Sequence, residues 1–159
     1  MHSDELSDEL TDAVLFASRA LVAIAARSLS AAPSDVTLPQ YRALVVLASR
    51  GPQRTADLAS ELEVAPSSIT RLCDRLVRKR LVTRRADPDN RRQVTIAITA
   101  HGRALVDAVT KVRRREIARV VKHIPPRRRE AVIGSLNELG SAAGEVPEQV
   151  WSLGWGTGR

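Results

Sequence analysis

Residues 58–102 read LASELEVAPSSITRLCDRLVRKRLVTRRADPDNRRQVTIAITAHG. Pro66 is suited to the first position of a helix that runs to about Lys79, and a short helix with a tight connection precedes it. After this helix, the turn residues DPDN separate two predicted strands, over 81–84 and 94–98. The second strand alternates polar and apolar side chains, the period of a half-buried strand. The order of these elements predicts a winged helix-turn-helix.

The sequence on both sides of this unit predicts further helices. Apolar residues recur at helical spacing in a long first helix. Thr37 and Gln40 form a capping box that starts a second helix, and Thr55 can cap the short third one. Thr99 caps a long fifth helix, which Pro125-Pro126 ends before a sixth. The fold class we predict is mainly α with a small β-hairpin wing, in which the winged helix-turn-helix is embedded in a helical dimerisation platform.

The chain divides into four predicted parts. Residues 1–35 form an N-terminal dimerisation helix, residues 36–100 a DNA-binding lobe, residues 101–144 the C-terminal dimerisation helices, and residues 145–159 a tail of unknown order. The apolar stripes of the first, fifth and sixth helices exceed what one small winged-helix core needs to bury. They favour a homodimer, and a monomeric helical bundle is the alternative.

Composition points to a polyanionic partner. The chain has 159 residues, a net charge of +7 and an isoelectric point near 10.9. Residues 65–92 hold nine basic side chains against three acidic ones, and residues 103–129 hold ten against two, behind an acidic start. Nucleic acid and anionic membrane both fit such a balance. Arg19 and Arg27 interrupt the apolar run of the first helix, which argues against a membrane span.

The sequence gives no pattern typical of an enzyme. The three histidines have no cysteine or carboxylate at metal-ligand spacing, and we find neither a glycine-rich phosphate loop nor a nucleophile–histidine signature. Cys73, the single cysteine, fits a reducing cytoplasm and lies on the apolar face of its helix. We therefore predict a cytoplasmic protein that is not an enzyme and needs no cofactor.

The helix after the tight connection presents the side chains for reading DNA. In a winged helix-turn-helix, the N-terminal residues of this helix reach base edges in the major groove. Here they are short groups followed by a cation: Pro66, Ser67, Ser68, Thr70 and Arg71. The alternative is that they are ordinary exposed helix residues. Arg91 and Arg92 at the hairpin tip are either cationic probes or solvated charges.

The stretch 58–102 resembles the MarR family of bacterial transcription regulators. The motifs that carry the resemblance are Thr70-Arg71, Asp74-Arg75-Leu76, the wing pair Arg91-Arg92 and Ile98-Thr99-Ala100-His101-Gly102. The order of the flanking helices extends it over about 35–143. Three positions depart from the family pattern: Arg80 replaces a helix-ending glycine, Ala65 replaces a Ser or Thr cap, and Asn90 replaces a wing aspartate.

The resemblance implies roles for particular residues. Arg92 would enter the minor groove, where a narrow A·T-rich channel concentrates negative potential, and Arg91 would meet phosphate. The full set of DNA-binding residues we predict is Arg54, Thr55, Pro66, Ser67, Ser68, Thr70, Arg71, Arg75, Asn90, Arg91 and Arg92. The family also implies a small aromatic or phenolic ligand between the lobe and the platform, although no residue pattern identifies it.

Three hypotheses follow from the sequence. The leading one is a homodimeric, sequence-specific regulator that usually represses transcription and responds to a ligand, bound to a pseudo-palindromic site on double-stranded DNA. The second is a nonspecific or architectural DNA-binding protein, and the third is a winged helix used for protein interaction. The arginine runs 113–115 and 127–129 fit both a solvated helix face and phosphate contact.

Overall fold

The structure, a computed structural model, describes residues 2–32, 35–86 and 93–147. Helices dominate it, as predicted from the sequence, and three short strands form one sheet. The elements in chain order are α1 His2–Ser30, α2 Leu38–Arg50, β1 Gln53–Arg54, α3 Thr55–Glu61, α4 Pro66–Arg78, β2 Val82–Ala86, β3 Val94–Ile98, α5 Ala100–Val121, a 3₁₀ turn Pro126–Arg128 and α6 Arg129–Ala142.

The sheet contains one strand more than the sequence predicts. The antiparallel strand order is β1-β3-β2, so β3 is the central strand, with Arg84 opposite Ile96. The predicted hairpin is confirmed, although β2 covers 82–86 instead of 81–84. The additional strand β1 pairs Gln53 with Ile96 and Arg54 with Thr95. It has two residues, and therefore no periodicity by which a sequence could reveal it.

One aliphatic core lies under the sheet and between helices α2–α5. Its fully buried side chains include Leu44 and Leu47 of α2, Leu58 of α3 and Ile96 of β3; Ile69, Cys73, Leu76, Leu81, Val106 and Val109 are also among them. Burial of this apolar area is the main stabilising contribution to the lobe. The core therefore fixes α4 and the wing relative to each other.

Two of the three N-cap residues predicted from the sequence are confirmed. Thr37 and Gln40 form the predicted capping box, and the N–H of Gly102 donates to Thr99 Oγ1 at 3.0 Å. The prediction for Thr55 is wrong, because Arg54 is the N-cap residue and has no side-chain cap. Thr55 instead donates from Oγ1 to the carbonyl of Val94 at 3.1 Å. The hydroxyl prefers this bond because pairing of β1 with β3 brings the Val94 carbonyl next to it.

The N-terminal helix extends well beyond the core. Ile24 and Ser28 are buried against the body of the chain, whereas Leu6, Leu10 and Phe16 are exposed by 57%, 67% and 76%. The helix over residues 5–30 is long and apolar enough to cross a membrane by length and composition alone, since an 18-residue window within it has a mean hydropathy of 1.5. One such helix is weak evidence for a membrane span, since the core helix of a soluble protein meets the same criterion.

The C-terminal elements leave their apolar side chains largely uncovered. On α5, the first half is buried at Leu105 and Val109, while Val120 and Val121 at its end are exposed by 52% and 40%. In α6, no residue is buried. Its exposed large apolar residues, Ile133, Leu136 and Leu139, are each between 45% and 59% exposed.

Candidate nucleic-acid interface

The turn between α3 and α4 is set by left-handed backbone at Glu63. Its φ is +52°, and the N–H groups of Glu63 and Val64 donate to the carbonyls of Ser60 and Ala59 at 3.1 and 3.0 Å. This pair of bonds is the Schellman arrangement, which ends a helix sharply. A residue other than glycine pays a steric cost for such a φ. The tight turn therefore fixes the angle between α3 and α4.

The helix α4 has one buried face and one exposed basic face. Ile69, Cys73 and Leu76 face the core, whereas Ser67, Ser68, Thr70, Arg71 and Arg75 are exposed. The hydroxyl of Thr70 donates to the carbonyl of Pro66 at 3.0 Å. Within the described residues, Arg71 and Arg75 form no ion pair or hydrogen bond through their guanidinium groups. Their donors are therefore available to an external anion or base edge.

The N-terminus of α4 has no side-chain cap. Ala65 is the N-cap residue and, as the sequence indicated, offers no hydroxyl to the first-turn N–H groups. Pro66 at the first position has no N–H to satisfy. The Ser68 N–H donates to the Ala65 carbonyl at 2.9 Å, which leaves the Ser67 N–H at a helix end that carries partial positive charge. This end of α4 is therefore favourable for a phosphate oxygen.

An ion pair ties the wing to the exposed face of α4. The guanidinium of Arg84, on β2, lies 3.0 Å from the carboxylate of Asp74, on α4. The two side chains are 37% and 48% exposed, so the pair contributes little to stability, but it holds β2 near α4. Sequence reasoning missed this role of Arg84, because nothing along the chain relates position 84 to position 74.

An open groove brings several predicted site residues together. Its volume is about 840 Å³, and it lies between α3, α4 and β3. Its lining includes Arg54, Thr55, Pro66 and Thr70 from the predicted set, together with Arg84. Arg54 is exposed at the start of α3 and faces the same groove. Asn90, Arg91 and Arg92, the predicted wing-tip residues, lie outside the described residues.

The end of α4 is joined to the start of α5. Arg80 adopts a φ of +58°, and the N–H groups of Arg80 and Leu81 donate to the carbonyls of Val77 and Leu76 at 2.9 and 3.0 Å. A left-handed cap thus forms even though glycine is missing. The hydroxyl of Thr99 donates to the carbonyls of Arg80 and Leu81 at 2.8 and 3.1 Å. We call this cluster, made of Arg80, Leu81, Thr99 and Gly102, the α4–α5 joint.

The described residues offer little for catalysis or metal binding. No group of three or more His, Cys, Asp or Glu side chains in that part of the chain could hold a metal ion. Burial raises the pKa of the Cys73 thiol, which outweighs the opposite effect of nearby Arg84. A buried thiol with a raised pKa is mostly protonated and unreactive at neutral pH.

The fold and the exposed basic face of α4 beside a wing define a winged helix-turn-helix DNA-binding protein. Comparison with solved structures agrees: the chain is similar to Rv1404 from Mycobacterium tuberculosis, with 42% identity and a TM-score of 0.81 over 89% of this chain and 96% of that one. Residues 36–94 match the model of the MarR family. The chain belongs to the MarR family of transcriptional regulators, a family that is not enzymatic in general.

Curated relatives share the regulatory class over a shorter region. The transcriptional regulator YhbI of Bacillus subtilis is 35% identical over 47% of this chain and 49% of that protein. The transcriptional repressor MdtR of the same organism is 29% identical over 56% of this chain and 57% of that protein. The chain thus spans only about half the length of these relatives.

Proposed function

We propose that this protein is a cytoplasmic, homodimeric, sequence-specific transcriptional repressor that binds a pseudo-palindromic DNA site. The observation that carries the proposal is the exposed face of α4, where Arg71 and Arg75 have no partner within the described chain. Arg71 lies in the second turn of the helix, within reach of base edges, and Arg75 lies one turn further on. Wing arginines Arg91 and Arg92 would add phosphate and minor-groove contacts.

Dimerisation is supported by apolar side chains that the chain does not cover itself. Leu10 and Phe16 of α1, Val120 of α5, and Ile133 and Leu136 of α6 are all more than half exposed. Such side chains are expected to be buried by a partner, because contiguous exposed apolar patches of this kind mark interaction sites. We assign α1 to this platform rather than to a membrane, since its C-terminal end packs on α5 and the family acts on DNA.

The division into functional parts follows from the same observation. The lobe within 36–100 contains most of the buried core, while residues 1–35 and 101–144 carry the uncovered apolar faces. A dimer built on those outer parts would hold two copies of α4 about 34–36 Å apart, one turn of DNA. Residues 148–159 lie outside the described chain, and we assign them no role.

Ligand control is supported by an unusual arginine between α2 and α5. The guanidinium of Arg113 lies over the Tyr41 ring, 5.2 Å from its centre, and the Tyr41 hydroxyl is 3.2 Å from Thr110 Oγ1. Among the described residues, the buried Nε of Arg113 has no hydrogen-bond partner. A groove of about 320 Å³ adjoins it, with Ile117 and Val121 in its wall.

An arginine that lines a groove beside an aromatic ring and an apolar wall suits a small aromatic carboxylate. Calorimetric titration with hydroxybenzoate should give binding to the wild type that Arg113→Met weakens at least about tenfold. Equal binding to both proteins would show that Arg113 is not the anchor.

The proposed DNA reading is tested by matched arginine substitutions. On duplexes that the wild type selects from random DNA, Arg71→Ala should lose about 1–3 kcal/mol of binding free energy, because a major-groove contact is lost. Arg119→Ala removes an exposed arginine from α5, outside the DNA-binding lobe and outside both arginine runs, and should have little effect. An equal, small loss of binding free energy for both variants would favour the nonspecific DNA-binding alternative, in which every exposed positive charge contributes equally.

A further inference from the structure

The N-terminal part of α1 carries unpaired negative charge on a segment that leaves the body of the chain. Asp8, Glu9 and Asp12 are exposed, and within the described residues none of them forms a hydrogen bond or ion pair through its side chain. Their spacing places them on one face of the helix. From Glu5 to Ala23 no residue of α1 is buried, a length of about 28 Å. We call Asp8, Glu9 and Asp12 the acidic segment.

The interaction of acidic residues with the helix dipole does not account for this segment. That effect falls off within the first turn of a helix. Because α1 begins at His2, Asp8 lies well into the second turn and Asp12 in the third. The helix dipole therefore does not stabilise these three carboxylates, which either pair with positive charges elsewhere or are only solvated.

A matching set of positive charges lies on α5. Lys111, Arg115 and Lys122 are exposed, and their spacing of four and seven residues places them on one face of the helix. The acidic residues of α5 are Asp107, which lies one turn before Lys111 and forms no ion pair within the described residues, and Glu116, which is bonded to Arg119 at 2.7 Å and lies 3.6 Å from Arg27. Within the described residues, Lys111, Arg115 and Lys122 form no ion pair. We call these three residues the basic stripe.

The acidic segment and the basic stripe do not meet within one chain, yet both belong to the helices whose apolar faces are uncovered. We infer that the acidic segment of one protomer binds the basic stripe of a second copy. This inference rests on the homodimer of the proposed function and adds the charged contacts that would fix its geometry. Complementary charges across an interface set its register and its rate of assembly more than its total affinity.

Charge reversal with mixing tests this pairing. One variant carries Asp8→Lys, Glu9→Lys and Asp12→Lys, and the other carries Lys111→Glu, Arg115→Glu and Lys122→Glu. Each alone should be mostly monomeric, with a dimer dissociation constant raised at least about tenfold, since like charges would face each other. An equimolar mixture should regain dimers, because both contacts in the mixed dimer are then complementary. Sedimentation velocity and mass photometry measure this directly.

The controls separate this inference from the proposed function. Asp57→Lys with Glu63→Lys adds positive charge on the DNA-binding lobe and should leave the dimer unchanged. Circular dichroism and cooperative unfolding confirm that each variant is folded. Variants that dimerise like the wild type, or folded monomeric variants that mixing does not restore, overturn the inference and leave the proposed dimer standing. A wild type that stays monomeric at micromolar concentration overturns the proposed dimer itself.

Discussion

Replacing Gly102 with alanine should destabilise the protein through the α4–α5 joint. A Cβ at this position would lie 2.2 Å from the carbonyl oxygen of Leu81 and 2.8 Å from Cγ1 of Ile98. Ordinary contacts begin near 3.4 Å, so the backbone of Leu81 must move by about 1 Å. That carbonyl already accepts bonds from the Thr99 N–H and hydroxyl, at 3.0 and 3.1 Å. The clash therefore cannot be relieved by a side-chain rotation.

The expected destabilisation by Gly102→Ala is the difference of two opposing contributions. Overpacking of a rigid site costs about 3 kcal/mol or more, at the upper end of the usual range. Alanine regains about 1 kcal/mol over glycine inside a helix. The net loss in the free energy of unfolding should be at least about 2 kcal/mol. For a chain of this size, that loss corresponds to a melting temperature lower by about 4–8 °C.

Gly134→Ala provides the matched control. Gly134 is also helical, but a Cβ there meets no atom within 4 Å. This variant should keep the wild-type melting temperature or exceed it slightly. Both variants are compared with the wild type by calorimetry at one protein concentration, because dimer stability depends on concentration. A Gly102→Ala protein that melts within 1 °C or so of the wild type would refute the close approach at the joint.

Three further outcomes are expected. Arg80→Gly should stabilise the protein by about 0.5–1 kcal/mol, because glycine adopts the left-handed φ of +58° without strain. An unchanged midpoint of denaturant unfolding would contradict this. Burial raises the pKa of Cys73 above its ordinary 9.0, so the thiol ionises first in the unfolded chain. The free energy of unfolding of the wild type should therefore fall above about pH 9, and that of Cys73→Ala, measured over the same pH range, should lack this fall. Arg92→Ala should lose about 1–3 kcal/mol of DNA-binding free energy, most on operators with A·T-rich flanks, and an equal loss on all flanks would make Arg92 a simple surface charge.

Local patterns in the sequence predicted most of the fold. The helices follow from apolar periodicity, and the start of α2 follows from the capping box at Thr37. The exposed face of α4, including Arg71 and Arg75, follows from the same periodicity, because Ile69 and Cys73 on the opposite face are buried. These features depend on residues within a few positions of each other.

Features made by distant residues could not be predicted in this way. The strand β1 exists because it pairs with β3 some forty residues later, and this pairing also determines the bond of Thr55 to Val94. The contact of Arg84 with Asp74 depends on the position of the wing over α4. Left-handed backbone at Glu63 has no sequence signal, because glycine is the residue that usually marks it. At Arg80 the signal comes only from the family pattern, which has glycine at that position.

Selection of bound sequences from random duplex DNA tests the central claim most directly. A homodimer that presents two copies of α4 should enrich two half-sites related by a dyad, with their centres about 10 base pairs apart. The selected site should then compete far better than unselected DNA at the same salt concentration. Enrichment of a single half-site would contradict the dimer, and no enriched motif at all would contradict sequence-specific regulation.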